Sequence, residues 1–363
     1  MRLFCVLLLL ATAGSAFAQV SNAAATPAKP IEIKVVVIAM FEQGADTGDA
    51  PGEYQYWVER EHLDTVLGFP QGYHDLRLNA QTGVLGLLTG VGTARAASSV
   101  MALGLDPRFD LTHAYFLVAG IGGMDPAAGS LASAVWNDWV VDGDIGYEID
   151  AREIPHATEA ERKLWTTGYV PLRKSVPYEQ PLDLGETPVY QLNPALVEWA
   201  FQTTKDVALP ESPELKALRM EFAGDMAHRP PMVMKGAKLS ASTFWHGELM
   251  NTWAENWVKY ATAGRGTYAI CGMEDTGTLQ SLTWLARAGR VDIGRVLVLR
   301  TASNYDVPKI GVSAAESIAQ TKLGHYTAFV PSLETAYRVG HVVVDSIVAN
   351  WSVDRERIPG RAK

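Results

Sequence analysis

Two short polar segments follow apolar runs in the last third of the chain. The sequence Cys-Gly-Met-Glu-Asp at 271–275 comes directly after an apolar run at 267–270, and Arg-Thr-Ala-Ser-Asn at 300–304 follows another at 296–299. Ligands of open α/β sheets bind beyond the carboxyl ends of strands, so polar residues at these positions carry particular weight. Their acid and amide groups suggest a site for a sugar and a base. Two ordinary strand-to-helix turns are the alternative interpretation.

Two glycine-rich segments also follow predicted strands. Residues 84–89 run into a Gly-Val-Gly turn and a helix-like stretch at 90–99, and residues 115–119 run into Gly-Ile-Gly-Gly at 120–123. A strand, a glycine turn and a helix form an anion-binding arrangement, because free backbone N–H groups at the helix start point toward a phosphate or carboxylate. Glycines used only for tight strand-helix packing are the alternative.

The remaining pattern predicts the elements that must position these segments. Residues 33–40 are β-branched and almost wholly apolar, which is typical of a central strand buried on both faces. Prolines interrupt residues 151–234 repeatedly, among them those at 155, 171, 177, 181, 188, 210 and 213, and we interpret this stretch as an insertion on the main sheet. Strands and helices then alternate to a last helix at about 332–351. The sequence therefore predicts an α/β fold with an inserted lobe.

Charge and cysteine content exclude some classes of protein. The formal net charge is −9 and no block of Lys or Arg stands out, which argues against a nucleic-acid surface and favours a small-molecule partner. Cys271 is the only cysteine outside the N-terminal apolar segment, so we expect no intramolecular disulfide. A packed core must provide the stability.

The N-terminus has the features of a cleaved secretory signal. Arg2 precedes an apolar stretch at 3–11, and Ala-Phe-Ala at 16–18 is a small-residue cleavage pattern. We therefore predict a signal peptide at 1–18, a flexible leader at 19–30, one domain at 31–363 and a periplasmic or secreted location. No later apolar run approaches the roughly 20 residues that span a bilayer.

The order of the motifs resembles that of the nucleoside phosphorylase and nucleosidase superfamily. The segments that carry this likeness are the glycine turns and residues 240–247, 272–274 and 300–304. More closely, most of residues 33–350 resembles the purine nucleoside permease family through Ile-Ala-Met-Phe-Glu at 38–42, Phe-Trp-His-Gly at 244–247 and Met-Glu-Asp-Thr-Gly at 273–277.

The resemblance implies both a fold and an activity. The fold would be a mixed central β-sheet flanked by helices, with the insertion at about 151–234. The activity would be purine nucleoside binding and cleavage of the N-glycosidic bond. A soluble nucleoside-binding component of uptake, without catalysis, is the alternative that the family name suggests. The sequence leaves the oligomeric state open, including a homo-oligomer.

The resemblance also assigns residues to the ribose and the base. Met273 would contact the apolar face of the sugar and Glu274 its hydroxyl groups, in a reaction with oxocarbenium character. Phe244 matches an aromatic residue that stacks on the base. Trp245 and His246 would line the pocket, although His246 either contacts the sugar or only satisfies its own hydrogen bonds.

Asn304 occupies a position where the superfamily commonly has an aspartate that protonates the purine. An amide cannot supply a proton, but it donates and accepts hydrogen bonds. Superfamily members with Asn here favour 6-oxopurines, which makes inosine or guanosine the expected substrate. Asp306 would substitute if the turn is shifted, and a turn-capping role for Asn304 is the remaining alternative.

The sequence leaves open whether water or phosphate is the nucleophile. Superfamily hydrolases keep an acid past the first strand that orients water, and Glu42 is our candidate, with Gln43 as its competitor. Otherwise phosphate held by Gly92, Arg95 and Gly122 would be the co-substrate, with a surface role as the alternative for Arg95. We expect no metal and no other cofactor.

Overall fold

The computed structural model describes residues 29–153, 167–172, 188–320 and 328–361. The predicted signal peptide at 1–18 and all but the last two residues of the leader at 19–30 lie outside these ranges. Two parts of the predicted insertion, 154–166 and 173–187, also lie outside them. Among the residues that the structure describes, none of the helices combines the length and the apolar composition that a membrane span requires.

A large mixed β-sheet forms the centre of the fold. Its ten strands are β2 (Val35–Ala39), β3 (Thr65–Leu67), β4 (Leu76–Asn79), β5 (Val84–Leu88), β7 (Tyr115–Met124), β8 (Ala134–Asp142), β11 (Val189–Gln191), β12 (Val233–Ser240), β13 (Tyr268–Gly272) and β14 (Val296–Tyr305). Two small two-stranded sheets pair β1 (Ile31–Glu32) with β6 (Phe109–Asp110), and β9 (Tyr147–Glu148) with β10 (Tyr169–Val170).

Helices flank this sheet, as expected for a mixed α/β fold. They are α1 (Gln55–Arg60), α2 (Thr93–Leu105), α3 (Pro194–Thr204), α4 (Pro213–Arg219), α5 (Glu248–Ala261), α6 (Asp275–Arg287), α7 (Ala314–Gln320), α8 (Phe329–Ala349) and α9 (Trp351–Asp354). Short 3₁₀ turns occur at Ala151–Glu153 and Ile293–Arg295. The predicted fold class is therefore confirmed.

Strand pairing brings the carboxyl ends of several strands together. β2, β5, β7 and β14 run parallel, and β8, β12 and β13 form a second parallel group. The two groups meet where β14 pairs antiparallel with β8 and where Ile270 of β13 pairs with Met124 of β7. The chain thereby closes a ring of strands, with the end of β13 lying across the later part of β7.

Two predicted strand ends lie inside longer strands. We expected β14 to end near Arg300 and β7 to end near Ala119, but both continue for five residues, to Tyr305 and Met124 respectively. The reason is that the two segments pair with each other in parallel from Val296 to Tyr305, so their backbone groups are satisfied within the sheet.

Part of the predicted insertion belongs to the main sheet. β11 pairs antiparallel with β8, and α3 buries Leu196, Val197 and Ala200 in the main core. Asn193 caps α3 by accepting a hydrogen bond from Ala195 N, and Pro194 stands at the first helical position, where its missing N–H group is tolerated.

Candidate active site

Glu274 lies at the carboxyl end of β13, immediately before α6. Its side chain is buried and makes contacts through both carboxylate oxygens. Oε1 accepts a hydrogen bond from Gly92 N at 3.3 Å, and Oε2 accepts from Met273 N at 3.1 Å and from Arg300 Nη2 at 3.0 Å. The strand-end acid and the first glycine turn, which are 182 residues apart, are therefore adjacent in the fold.

Arg300 belongs to a cluster of buried charges below Glu274. Its guanidinium also donates to Asp275, with Nη2 at 2.7 Å from Oδ2, and Lys238 forms an ion pair with the same carboxylate. Burial, followed by the charge of Arg300, lowers the pKa of Lys238 well below its ordinary value. Buried charges require such partners because an unpaired one is costly. The network holds Arg300 beneath Glu274.

Glu53 is a member of this site that sequence reasoning missed. Its side chain is 3% exposed, and its carboxylate accepts hydrogen bonds from Ile121 N at 2.7 Å and Met40 N at 2.9 Å and lies 4.0 Å from Arg300 Nη1. Burial raises the pKa of Glu53 to about 7, with Glu274 adding to the rise and Arg300 opposing it. A carboxyl group that titrates near neutral pH can accept a proton from a bound water.

Glu42 lies close to Glu53 in the fold but has different partners. Backbone N–H groups of residues 43, 52, 54 and 55 all donate to its carboxylate, and burial raises its pKa. Gln43, the competing candidate, takes part through its backbone N–H group, which donates to Glu42 at 2.8 Å.

The first glycine turn forms as predicted, and α2 follows it. Gly90 and Gly92 have φ values of +80° and +97°, which favour glycine. Gly92 N donates to Glu274, and Thr93 N donates to Ser242 Oγ at 3.1 Å, so two N–H groups at the start of the helix already have partners. Arg95 is exposed, and its guanidinium carbon lies 5.7 Å from the ring centre of Tyr73.

The second glycine segment allows β13 to approach β7 closely. A side chain on Gly122 would clash with the carbonyl oxygen of Cys271. One on Gly120 would lie 2.7 Å from both Arg300 Nη1 and Glu53 Oε1. These glycines therefore provide the space in which β13 and the charged cluster meet.

Asn304 lies near the end of β14, opposite Gly123 of β7. It is partly buried, its Oδ1 accepts from Ser303 Oγ at 2.9 Å, and its Nδ2 donates to Tyr305 O at 3.1 Å. An amide oxygen has a second lone pair and an amide nitrogen a second hydrogen, so the side chain keeps hydrogen-bonding capacity for a ligand.

Asp306 is buried two residues beyond Asn304. Its carboxylate accepts hydrogen bonds from the hydroxyl of Tyr268 and from Cys271 Sγ, the latter at 3.3 Å. Burial raises the pKa of Asp306 to about 7, and these two donors oppose the rise. Both Asp306 and Asn304 lie beside Gly123, since a side chain there would meet Asp306 and would lie 3.1 Å from Asn304 Nδ2.

The aromatic segment before α5 has one exposed ring and one buried ring. Phe244 is 47% exposed, whereas Trp245 is buried and packs edge-on against Trp253, with ring centres 5.8 Å apart. His246 Nε2 lies 2.9 Å from Ser317 Oγ, and burial lowers the pKa of this histidine. Phe244 is thus the ring of this segment that is open to a ligand.

Met273 connects Thr93, at the start of α2, with Glu274, immediately before α6. Its carbonyl oxygen accepts a hydrogen bond from Thr93 Oγ1 at 3.1 Å, and its N–H group donates to Glu274. The site therefore unites Glu274, Met273 and Gly92 by direct contact. Gly122 and Asn304 join it through β13 and β7, while Arg95 extends toward Tyr73.

A separate group of metal-ligand type lies elsewhere on the molecule. Glu61, His341 and Asp345 place ligand atoms within 4.8 Å of one another. Both imidazole nitrogens of His341 already face a carboxylate, Nδ1 at 2.5 Å from Glu61 and Nε2 at 3.2 Å from Asp345. Glu61, through hydrogen bonding, raises the pKa of His341, which favours a protonated imidazolium in an ion-pair chain.

The fold places the protein in a known structural class. A solved nucleosidase from Helicobacter pylori, titled a 5′-methylthioadenosine/S-adenosylhomocysteine nucleosidase, superposes with a TM-score of 0.50 at 13% identity. The match covers 87% of this chain and 99% of the nucleosidase. At this identity the likeness concerns the fold alone, which is that of the nucleoside phosphorylases and nucleosidases.

Within this class, the chain belongs to the purine nucleoside permease family, whose sequence model matches residues 32–359. A Candida albicans protein named purine nucleoside permease is 30% identical, with 91% of this chain and 79% of the relative covered. A Schizosaccharomyces pombe protein named probable purine nucleoside permease is 29% identical, with 88% and 90% covered.

Proposed function

We propose that this protein binds purine nucleosides and hydrolyses their N-glycosidic bond. The observation that carries the proposal is the arrangement of Glu53 and Glu274 around Arg300. One carboxyl group titrates near neutral pH and the other remains ion-paired beside the glycine turn. The family membership and the names of the relatives support a purine nucleoside as the ligand.

The two carboxyl groups have different roles in this reaction. Glu274 accepts a hydrogen bond from a ribose hydroxyl group at the site on Oε1 that Gly92 N leaves open, and its negative charge stabilises the oxocarbenium character at C1′. Glu53 takes a proton from water as the water oxygen bonds to C1′. The C1′–N bond breaks and its electron pair leaves with the purine, which takes a proton from solvent water. Glu53 returns its proton to solvent, and the products are ribose and free base.

Asn304 and Phe244 bind the purine in this proposal. The amide of Asn304 hydrogen-bonds the leaving base, and the resemblance to superfamily members with Asn at this position makes a 6-oxopurine the expected base. The exposed ring of Phe244 stacks on the base, and such contacts contribute roughly 1–3 kcal/mol. Asp306, buried below Asn304, keeps its proton up to about neutral pH.

Water is favoured over phosphate by the charges around the first glycine turn. The N–H groups of Gly92 and Thr93 already have protein acceptors. The carboxylate of Asp144 lies 3.3 Å from Thr93 Oγ1 and accepts from Ser242 N at 3.0 Å, which adds negative charge where an anion would bind. A phosphate at this turn would be repelled by two carboxylates.

A second candidate function is nucleoside binding without cleavage, for uptake. It is favoured by Asn304, whose amide cannot protonate the leaving purine. Calorimetry separates the two functions, because stoichiometric binding of inosine without released base supports a binding protein. Action outside the cytoplasm is also part of our proposal, and fractionation of cells expressing the full chain tests it.

The decisive experiment is a product assay on purified protein with inosine, in the presence and absence of phosphate. We expect hypoxanthine and ribose in both conditions. Glu53→Gln should lower kcat by about 10²–10⁴-fold, the usual contribution of a general base. Glu32→Gln, which changes an exposed carboxylate paired with Arg355, is the matched control. Absence of hypoxanthine in every condition would overturn the proposal.

A further inference from the structure

Glu42 uses the whole acceptor capacity of its carboxylate on the backbone. Oε1 accepts hydrogen bonds from Gln43 N at 2.8 Å and from Gly52 N, while Oε2 accepts from Tyr54 N at 3.0 Å and Gln55 N at 2.6 Å. A carboxylate has about four lone-pair sites, and each of these oxygens has two donors. No acceptor site of Glu42 therefore remains for orienting a water molecule.

The donors to Glu42 bracket Glu53 in the sequence. Residues 52 and 54 are its immediate neighbours and residue 55 is one position further on, and Glu53 N itself donates to Phe41 O at 3.0 Å. Gly52 packs tightly here, because a side chain on it would lie 2.7 Å from Glu42 Cα and 2.9 Å from Phe41 O. The segment that contains Glu53 is therefore held by direct contacts to the residues that follow β2.

The loop between these two points has its own attachments. Asp46 is buried and pairs with Arg77 at 2.8 Å and His74 at 3.2 Å, and Gly48 N donates to Glu59 Oε1 at 2.9 Å. These contacts hold the middle of the loop. The backbone on either side of Glu53 is held by Glu42, while Glu53 itself is held by Phe41 O through its N–H group and by the N–H groups of Met40 and Ile121 through its carboxylate.

We infer that Glu42 is a positioning residue, which folds residues 43–55 so that the carboxyl group of Glu53 lies beside Arg300. The inference rests on the proposed function for the role of Glu53, while the folding of the loop stands on the hydrogen bonds alone. It assigns to Glu42 a role different from the water-orienting acid expected from its place after the first strand.

The test compares Glu42→Gln with Glu53→Gln in both backbone exchange and catalysis. Hydrogen–deuterium exchange should rise at least about 10-fold at residues 52–55 in Glu42→Gln, because an amide nitrogen cannot accept the N–H groups. Exchange in β2 and β7 should stay as in the wild type, which reports an intact fold. Glu32→Gln should change neither the backbone exchange nor the rate of hydrolysis. Unchanged exchange at 52–55 overturns the inference, whether or not the protein hydrolyses nucleosides.

The kinetic arm uses the dependence of inosine hydrolysis on pH. The charged groups that face Glu53 are Arg300 of β14, Glu274 before α6 and Lys238 of β12. Glu53→Gln should abolish the rise of kcat with pH. Glu42→Gln should keep that rise but move it to lower pH, since a less firmly held Glu53 gains hydration. It should also lower kcat, and the factor by which kcat falls should exceed the factor by which KM changes by about 10-fold. Loss of the rise in Glu42→Gln and its retention in Glu53→Gln would overturn the inference.

Discussion

The guanidinium of Arg300 and the carboxylate of Glu274 lie 3.0 Å apart, and both side chains are buried. The same guanidinium contacts Asp275 and lies 4.0 Å from Glu53, so one cation serves three carboxyl groups. Lys238, whose pKa is lowered by burial, is the other basic group of this cluster. The position of Glu274 therefore depends on Arg300.

Removal of Arg300 should destabilise the fold strongly. Arg300→Met leaves uncompensated buried carboxylates, and we expect the free energy of unfolding to fall by about 3–5 kcal/mol. Urea denaturation followed by circular dichroism measures this. Arg338→Met removes an exposed i,i+4 pair with Glu334 and should change the unfolding free energy by less than about 1 kcal/mol. Similar losses for both variants would contradict the described role of Arg300.

Loss of the Glu274 carboxylate should weaken binding of the nucleoside much more than binding of the free base. Glu274→Ala removes the acceptor that we propose for a ribose hydroxyl group, so the affinity for inosine should fall more than 10-fold, equivalent to about 1.4 kcal/mol. The affinity for hypoxanthine should change much less. Calorimetry with both ligands measures the difference, and an equal loss for nucleoside and base would indicate misfolding or a wrong assignment.

Asn304 should determine the preferred base. Asn304→Asp introduces a group that can donate a proton, so cleavage of adenosine should rise relative to inosine, measured as the ratio of kcat/KM values. Asn350→Asp, at the exposed end of α8, is the control and should leave the ratio unchanged. The prediction fails if the ratio in Asn304→Asp stays at the wild-type value while the protein remains folded.

Glu53 should make stability depend on pH. The unfolded chain releases this proton near pH 4.5, whereas the folded protein keeps it up to about pH 7. The unfolding free energy of wild type relative to Glu53→Gln should therefore fall as pH rises between these values, by up to about 3 kcal/mol, and be level on either side. Denaturant titrations at pH 4, 5.5, 7 and 8.5 measure it. A difference that rises with pH would reverse the assigned direction.

Gly122 should tolerate no side chain. Gly122→Ala places a Cβ atom against the carbonyl oxygen of Cys271, so backbone must shift, and we expect a loss of about 1–3 kcal/mol in unfolding free energy. Gly68→Ala is the control, because a Cβ atom there meets nothing within 4 Å and Gly68 does not require a positive φ. Thermal or urea unfolding of the two variants tests the close approach of β13 to β7.

Local pattern was sufficient for the elements that need no distant partner. The apolar run of β2, the glycine turn before α2, the strand that ends at Gly272 and the long helix α8 were all predicted from periodicity and turn chemistry. The helix starts at Phe329, although Pro331 stands in its first turn, because proline is tolerated where N–H groups have no intrahelical partner.

Distant pairing decided what the pattern did not reveal. β14 continues through Asn304 because β7 continues beside it. The local sequence of neither segment predicts that it pairs with the other. Glu53 was missed for the same reason: it follows a loop of glycine, aspartate and proline that contains no strand or helix pattern.

By itself, the sequence determined the fold class, the family resemblance and the presence of an acid at the end of β13, since short-range periodicity and motif order carry that information. Only the tertiary structure decided that Arg300 pairs with Glu274 and that Glu42 binds the backbone around Glu53. The physical reason is that the pKa and the orientation of a carboxyl group depend on burial and on nearby charges, which the folded chain brings together from segments far apart in sequence.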